Sequence, residues 1–219
     1  MKKVVINFEE NSKIHIGEEL SSYISSDRLY SIIINALANL SIDLDSLIKE
    51  INEKVLISSA FLGIKISSSK KEQNIDFVPK PFVLIKDESD EEDLIKNRKL
   101  YKNINWISRK CLEKLSKGYS SEDDYINYSF KNGKIIGSKY YIEDDEVDCD
   151  YMRILEDYTP LKNEVIQRNN IDRYSKKSVN TYYDSYTILV AKTYKEILVQ
   201  PYFYFYIKDD DNILKEEYI

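Results

Sequence analysis

His15 is the only imidazole in the chain, and it sits in the alternating segment Lys13-Ile-His-Ile-Gly17, just ahead of a helix-like stretch. A histidine so placed can act as general base toward an RNA 2′-hydroxyl, with a tyrosine or lysine assisting. It can equally contact RNA or another subunit, or serve the structure alone. The densest mixture of cations and an aromatic ring is Gln167–Lys177 (QRNNIDRYSKK). There Arg168, Arg173, Lys176 and Lys177 can track phosphates while Tyr174 stacks on a base, although a solvated loop has the same composition. Ser26-Asp27-Arg28 marks a helix start: Ser26 or Asp27 fits the N-cap, and the N–H groups beside Arg28 suit a phosphate.

Other chemistries are poorly supplied. One His and two distant cysteines, Cys111 and Cys149, do not assemble a zinc site, and this cysteine usage fits a reducing, cytoplasmic setting. Five glycines form neither a Walker loop nor a dinucleotide fingerprint. The acidic runs 87–93 and 143–150 hold six acids each but lack the EF-hand spacing with its central Gly and closing Glu, so both read as solvated insertions. No metal and no cofactor is expected.

The elements that must position these residues follow from periodicity. Lys3–Phe8 reads as a strand, with Lys13–Gly17 as its continuation or partner. After Asp27, the apolar positions Leu29, Ile32, Ile33, Ala36, Leu37 and Leu40 share one helical face. A second helix runs from Asp43 or Asp45 through Leu47, Ile48, Ile51 and Val55. Ser67–Asn74 reads as a loop. Phe77–Ile85 is extended, and its two prolines place its first half at a sheet edge or outside pairing. A short helix after Ser108 buries Cys111, Leu112 and Leu115, while 118–150 lacks a sustained period and reads as an exposed acidic insertion. Strands follow over Glu164–Ile171, Ser185–Ala191 and Ile197–Ile207, so that Gln167–Lys177 projects as a hairpin. In the last strand Tyr202, Tyr204 and Tyr206 share a face, expected to pack under helices or a partner rather than stack on bases. The layout is α+β, with helices on one face of an antiparallel sheet.

The 219 residues suffice for one large or two small domains, and the longest apolar stretch, near Ile32–Leu40, is far shorter than a membrane span. A net charge of −6 argues weakly against nucleic acid, but it conceals segregation. Residues 96–117 carry eight basic groups against Glu113 alone, a block suited to solvent, to RNA or to an acidic partner.

Four local patterns, in this order, carry a resemblance: Lys13-Ile-His15-Ile-Gly17 with Ser26-Asp-Arg-Leu-Tyr-Ser31, Phe77-Val-Pro79-Lys-Pro81, Ile104-Asn-Trp106-Ile-Ser108, and Arg168-Asn-Asn-Ile-Asp172-Arg173. Together they resemble the N-terminal part of the RAMP-superfamily subunit called Csm-four of type III-A CRISPR effector complexes. The resemblance implies a ferredoxin-like, RRM-type antiparallel sheet, here one RAMP domain over residues 1–219, without the family's glycine-rich loop and C-terminal domain. It implies a non-catalytic subunit at the foot of the complex that binds the crRNA 5′ tag and joins the large polymerase-like subunit to the backbone RAMP subunit. His15, Ser26 and Arg28 would lie near the tag. Arg168, Arg173, Tyr174, Lys176 and Lys177 would form a thumb-like hairpin against the guide or its paired target RNA. Two other readings stay open from the residues: a RAMP-type, metal-independent endoribonuclease using His15 on precursor crRNA, and a protein-only scaffold.

Overall fold

The computed structural model describes residues 1–15, 22–39, 44–69, 71–82, 84–86, 99–120, 125–171 and 178–214. Gly17, Leu40, the acidic run 87–93, the residues Arg173, Tyr174, Lys176 and Lys177 of the expected hairpin, and residues 215–219 lie outside them. The fold is α+β and dominated by a large, mostly antiparallel sheet. No helix of the described residues is long and apolar enough to cross a membrane. The contacts group into two compact units: Met1–Leu62 with Leu161–Leu189 and Pro201–Ile219, and Gly63–Pro160 with Val190–Gln200.

In the first unit, β1 (Lys2–Ile6) pairs antiparallel with the end of β16 (Ile197–Asp209), Val4 opposite Phe205. The short segment β2 (Lys13–Ile14) does not continue or pair with β1. It joins β14 (Ser178–Leu189) instead, Ile14 opposite Thr187. After β3 (Tyr23–Ile24), α1 (Ser26–Asn39) forms where the apolar period required it. Its buried stripe is narrower than the sequence implied: Leu29, Ile33 and Leu37 face inward at strict i, i+4 spacing, while Ile32 is 57% exposed. Helix α2 (Leu44–Lys54) contributes Ile51 and hands over directly to β4 (Val55–Ile57), on which α1 also packs.

The parity of β16 holds, and both of its faces are covered from Pro201 to Phe205. Tyr204 is fully buried, between the rings of Tyr202 and Tyr206, and is met by Phe61, with the Lys3 ammonium 4.7 Å above its ring. The tyrosine stripe is therefore packed, as its amphipathic rings favour.

The second unit centres on a stretch the sequence did not mark as a strand, β5 (Ala60–Ser67), which pairs antiparallel with β6 (Glu72–Pro79). The expected Ser67–Asn74 loop is thus shorter than predicted: Ser67 belongs to β5 and Glu72–Asn74 to β6, with Ser67 opposite Glu72. Nor is Phe77–Pro79 unpaired: it runs antiparallel to β8 (Trp106–Ser108), with Pro79 as the last residue of its strand, where a missing N–H interrupts nothing beyond. The strand β7 (Leu84–Lys86) pairs elsewhere, and residues 99–103 are helical (α3). Helix α4 (Arg109–Lys117) starts as expected, the Ser108 hydroxyl accepting the Cys111 N–H, and buries Cys111 and Leu115.

The described residues of 118–150 do not form an exposed insertion. They form β9 (Tyr119–Ser120), β10 (Tyr125–Asn127), β11 (Gly133–Ile136) and β12 (Tyr140–Glu143). All four residues of β12 are buried, and Ile126, Phe130 and Tyr141 join Ile104, Ile107, Cys111 and Leu115 in one core. Burial of aromatic area outweighs the local polarity that suggested a loop. A Cβ at Gly133 would overlap the Ile142 carbonyl and the Tyr141 ring, so this close approach of β11 to β12 requires glycine. Helix α5 (Cys149–Glu156) packs against β11, and β15 (Lys192–Tyr194) forms a hairpin with the start of β16.

Candidate nucleic-acid interface

Strand β13 (Leu161–Ile171) pairs with β14 along its whole length, and β2 adds to the far side of β14, giving a three-stranded sheet in the first unit. Residues directly opposite in an antiparallel pair point to the same face. Glu164 lies opposite Tyr186, Ile166 opposite Asp184 and Arg168 opposite Tyr182, so these six share one face, with Lys13 and His15 beside them. The other face is built from Asn163, Val165, Gln167, Asn169, Thr181, Tyr183, Ser185 and Thr187, none of them charged.

Tyr186 is the centre of the charged face. Its ring lies 5.8 Å from the His15 ring, tilted by 59°, and 5.9 Å from the Arg168 guanidinium carbon. Arg168 Nη2 donates to the Tyr186 hydroxyl at 2.7 Å, and its Nε lies 2.7 Å from Asp184 Oδ2. The Tyr186 oxygen first, then Asp184, raises the guanidinium pKa above its ordinary value, so Arg168 stays charged. Lys13 closes the cluster on its other side, 2.6 Å from Glu164.

His15 Nδ1 is 2.9 Å from the Ser185 carbonyl oxygen. A carbonyl has no proton to give, so Nδ1 carries the hydrogen and the neutral ring keeps its lone pair on Nε2. The side chain is exposed. One sheet face thus presents an oriented, exposed imidazole and guanidinium with a half-buried phenol between them.

Of the residues singled out from the sequence, the fold brings His15 and Arg168 together through Tyr186. Ser26 and Arg28 belong elsewhere, in the first turn of α1. The Leu29 N–H donates to the Ser25 carbonyl at 3.0 Å, so Ser25, rather than Ser26 or Asp27, occupies the cap position. Ser26 and Asp27 line a cleft of about 320 Å³ with Tyr30 and Asn52 above an apolar floor of Ile51 and Val55. The Tyr30 hydroxyl donates to Asn52 Oδ1 at 2.8 Å. Arg173, Tyr174, Lys176 and Lys177 fall between β13 and β14 in sequence and lie outside the described residues.

Tyr186, Asp184, Lys13 and Glu164 were not singled out from the sequence. The alternation of Tyr182, Asp184 and Tyr186 was readable, but its alignment with His15 depends on β2 joining β14.

No family model matches the chain, and no curated protein matches it.

The basic block of the second unit finds an acidic partner within the chain. Lys114 lies 2.8 Å from Glu143 and 3.2 Å from Asp145, Lys110 lies 3.1 Å from Asp145, and Lys71 pairs with Asp148. Lys110, by hydrogen bonding, leads in holding the Asp145 carboxyl below its usual range, and Glu143 leads in raising Lys114. Tyr128 donates to the buried Glu143, and its own ionisation is strongly suppressed by burial. Of the six acids in 143–150, Glu143 and Asp145 pair with α4 and Asp148 with Lys71, while Asp144, Asp145, Asp148 and Asp150 are exposed as expected. Two lysines of the basic block are thereby occupied, leaving the β13–β14–β2 face as the better candidate for binding an anionic polymer.

Proposed function

We propose that the chain is a non-catalytic RNA-binding and assembly subunit of a type III-A CRISPR interference complex. On this reading it is cytoplasmic and ferredoxin-like, holds the crRNA 5′ tag, and bridges the large polymerase-like subunit and the backbone RAMP subunit. The observation that carries the reading is the convergence of His15 and Arg168 on Tyr186, on two long paired strands that flank Arg173, Tyr174, Lys176 and Lys177 in sequence. Exposed guanidinium and aromatic groups on a sheet face suit single-stranded RNA, cations meeting phosphate while rings accept bases. Arg168 is ion-paired with Asp184, so phosphate must displace a carboxylate to reach it.

The test is guide-RNA binding across a salt series, with and without the backbone subunit. Affinity is expected to fall as salt rises, with a slope of about −0.7 per phosphate neutralised. Reversing Arg168, Arg173 and Lys176 together should abolish most of the binding; unchanged affinity in that variant excludes the hairpin as the site.

One observation favours a second reading, a metal-independent endoribonuclease. The Ser185 carbonyl orients His15 with its basic nitrogen at Nε2, beside a phenol and a guanidinium, a set able to take a proton from a 2′-hydroxyl and stabilise a phosphorane. Site-specific cleavage of precursor crRNA in the presence of chelator, lost in His15→Ala, would establish it. Intact RNA after incubation with folded protein would remove it.

A further inference from the structure

The long hairpin leaves one strand open. In the order β13–β14–β2, β13 is paired on one side only among the described residues. An edge of this length offers a row of backbone N–H and C=O groups to another strand, and proteins commonly blunt such edges with proline, bulges or unmatched charge. From Leu161 to Asn170, β13 contains neither proline nor glycine, and its register with β14 is unbroken. What it does carry is charge: Lys162, Glu164 and Arg168.

These charges are arranged about a centre. Ile166 is the midpoint of Leu161–Ile171. A second β13 laid antiparallel with Ile166 opposite Ile166 sets Val165 against Gln167, Glu164 against Arg168, and Asn163 against Asn169. Each of these pairs occurs twice, as a twofold axis requires. Opposite charges directly across an antiparallel pair attract, and amide faces amide beside them. Sliding the copy by one residue sets Arg168 against Asn163 or Val165, and both ion pairs are lost. The same residues that would repel an arbitrary strand therefore match their own copy in one register.

We infer that β13 is a self-pairing edge. Two copies of this chain join antiparallel about Ile166 and merge their three-stranded sheets into one. The twofold axis stands perpendicular to the sheet, so both charged faces lie on the same side. Glu164 and Arg168 keep their intrachain partners Lys13 and Asp184 on the β14 side, and their side chains remain 38% and 49% exposed for the copy on the other. This inference does not rest on RNA binding.

Sedimentation of the purified chain over a concentration series is expected to show a dimer. Glu164→Arg and Arg168→Glu should each weaken it by roughly tenfold or more, since either places two like-charged pairs across the axis. The double exchange is expected to restore it. Its intrachain contacts stay broken, with arginine beside Lys13 and glutamate beside Asp184, so recovery reports the contact between copies. A register test needs no charge change. In a Cys149→Ser background, which removes the exposed thiol, Ile166→Cys should form an intermolecular disulfide on mild oxidation, while Gln167→Cys should not. A monomer at every concentration, a dimer indifferent to both single exchanges, no recovery in the double exchange, or crosslinking at position 167 in preference to 166 would each overturn the inference.

Discussion

Arg168 donates a 2.7 Å hydrogen bond to the hydroxyl of Tyr186 on the neighbouring strand, which fixes the guanidinium over an aromatic ring that also meets His15. Because Asp184 holds the Nε of the same guanidinium at 2.7 Å, the face is partly self-neutralised. Its cations are positioned, and an acidic neighbour competes with any phosphate.

The first prediction follows from that competition. Asp184→Asn removes a negative charge from the face and leaves the Tyr186 bond in place. RNA affinity at low salt is expected to rise about three- to tenfold, with a steeper salt dependence. Filter binding at two ionic strengths measures both, and a fall in affinity would show that Asp184 positions Arg168 rather than competing for it.

Lys114 is the main partner of a carboxylate that water hardly reaches, since Glu143 is only 2% exposed. Lys114→Ala should lower stability by about 1–2 kcal/mol, reduced from the full effect of breaking a buried pair because the lysine is itself part-exposed and Tyr128 still donates to Glu143. The folded pKa of Lys114 lies above its unfolded value, Glu143 being the leading cause. Its contribution is therefore complete below about pH 10 and lost as pH rises through the folded value. Urea denaturation of both proteins in neutral and alkaline buffer should show the difference shrinking at high pH.

Glu146 behaves in the opposite sense. Burial raises its carboxyl above the ordinary range, against the Ser108 hydrogen bond, which lowers it. The native state holds this proton more tightly than the unfolded chain, so stability falls as pH rises from roughly 4.3 to the raised value. Glu146→Gln should flatten that slope and raise stability near neutral pH. A variant less stable than the parent at neutral pH would show that the carboxylate is needed ionised.

The two cysteines should separate cleanly. Cys111 is fully buried, and burial leads in pushing its thiol up to about 12, whereas Cys149 is exposed. Alkylation of native protein at neutral pH is expected to label Cys149 alone, and Cys111 only after denaturant is added, as mass spectrometry of the peptides would report. Rapid labelling of Cys111 in native protein would contradict the packing of α4.

Local physics made α1 and α4 legible from sequence. The apolar spacing of Leu29, Ile33 and Leu37, and Ser108 ahead of Cys111, each act within a few residues, so the chain's own order contains the cause. The alternation of β16 was equally local, as was the hairpin pairing of β13 with β14. Strand β5 is just as local a signal, although the sequence reading did not mark it: Ala60, Leu62, Ile64 and Ile66 alternate as one fully buried face, with Phe61, Lys65 and Ser67 half-buried on the other. Residues 140–143 escaped notice for a long-range reason: two tyrosines, an isoleucine and a glutamate look like loop until Lys114, distant in sequence, supplies the charge that allows Glu143 to be buried. The candidate site divides in the same way. Sequence alone determined that His15 was the sole imidazole and that Arg168 opened a run rich in cations. Only the tertiary structure decided that both meet Tyr186, because that contact requires β2 to leave β1 and pair with β14, a choice made by long-range strand pairing that no local spacing encodes.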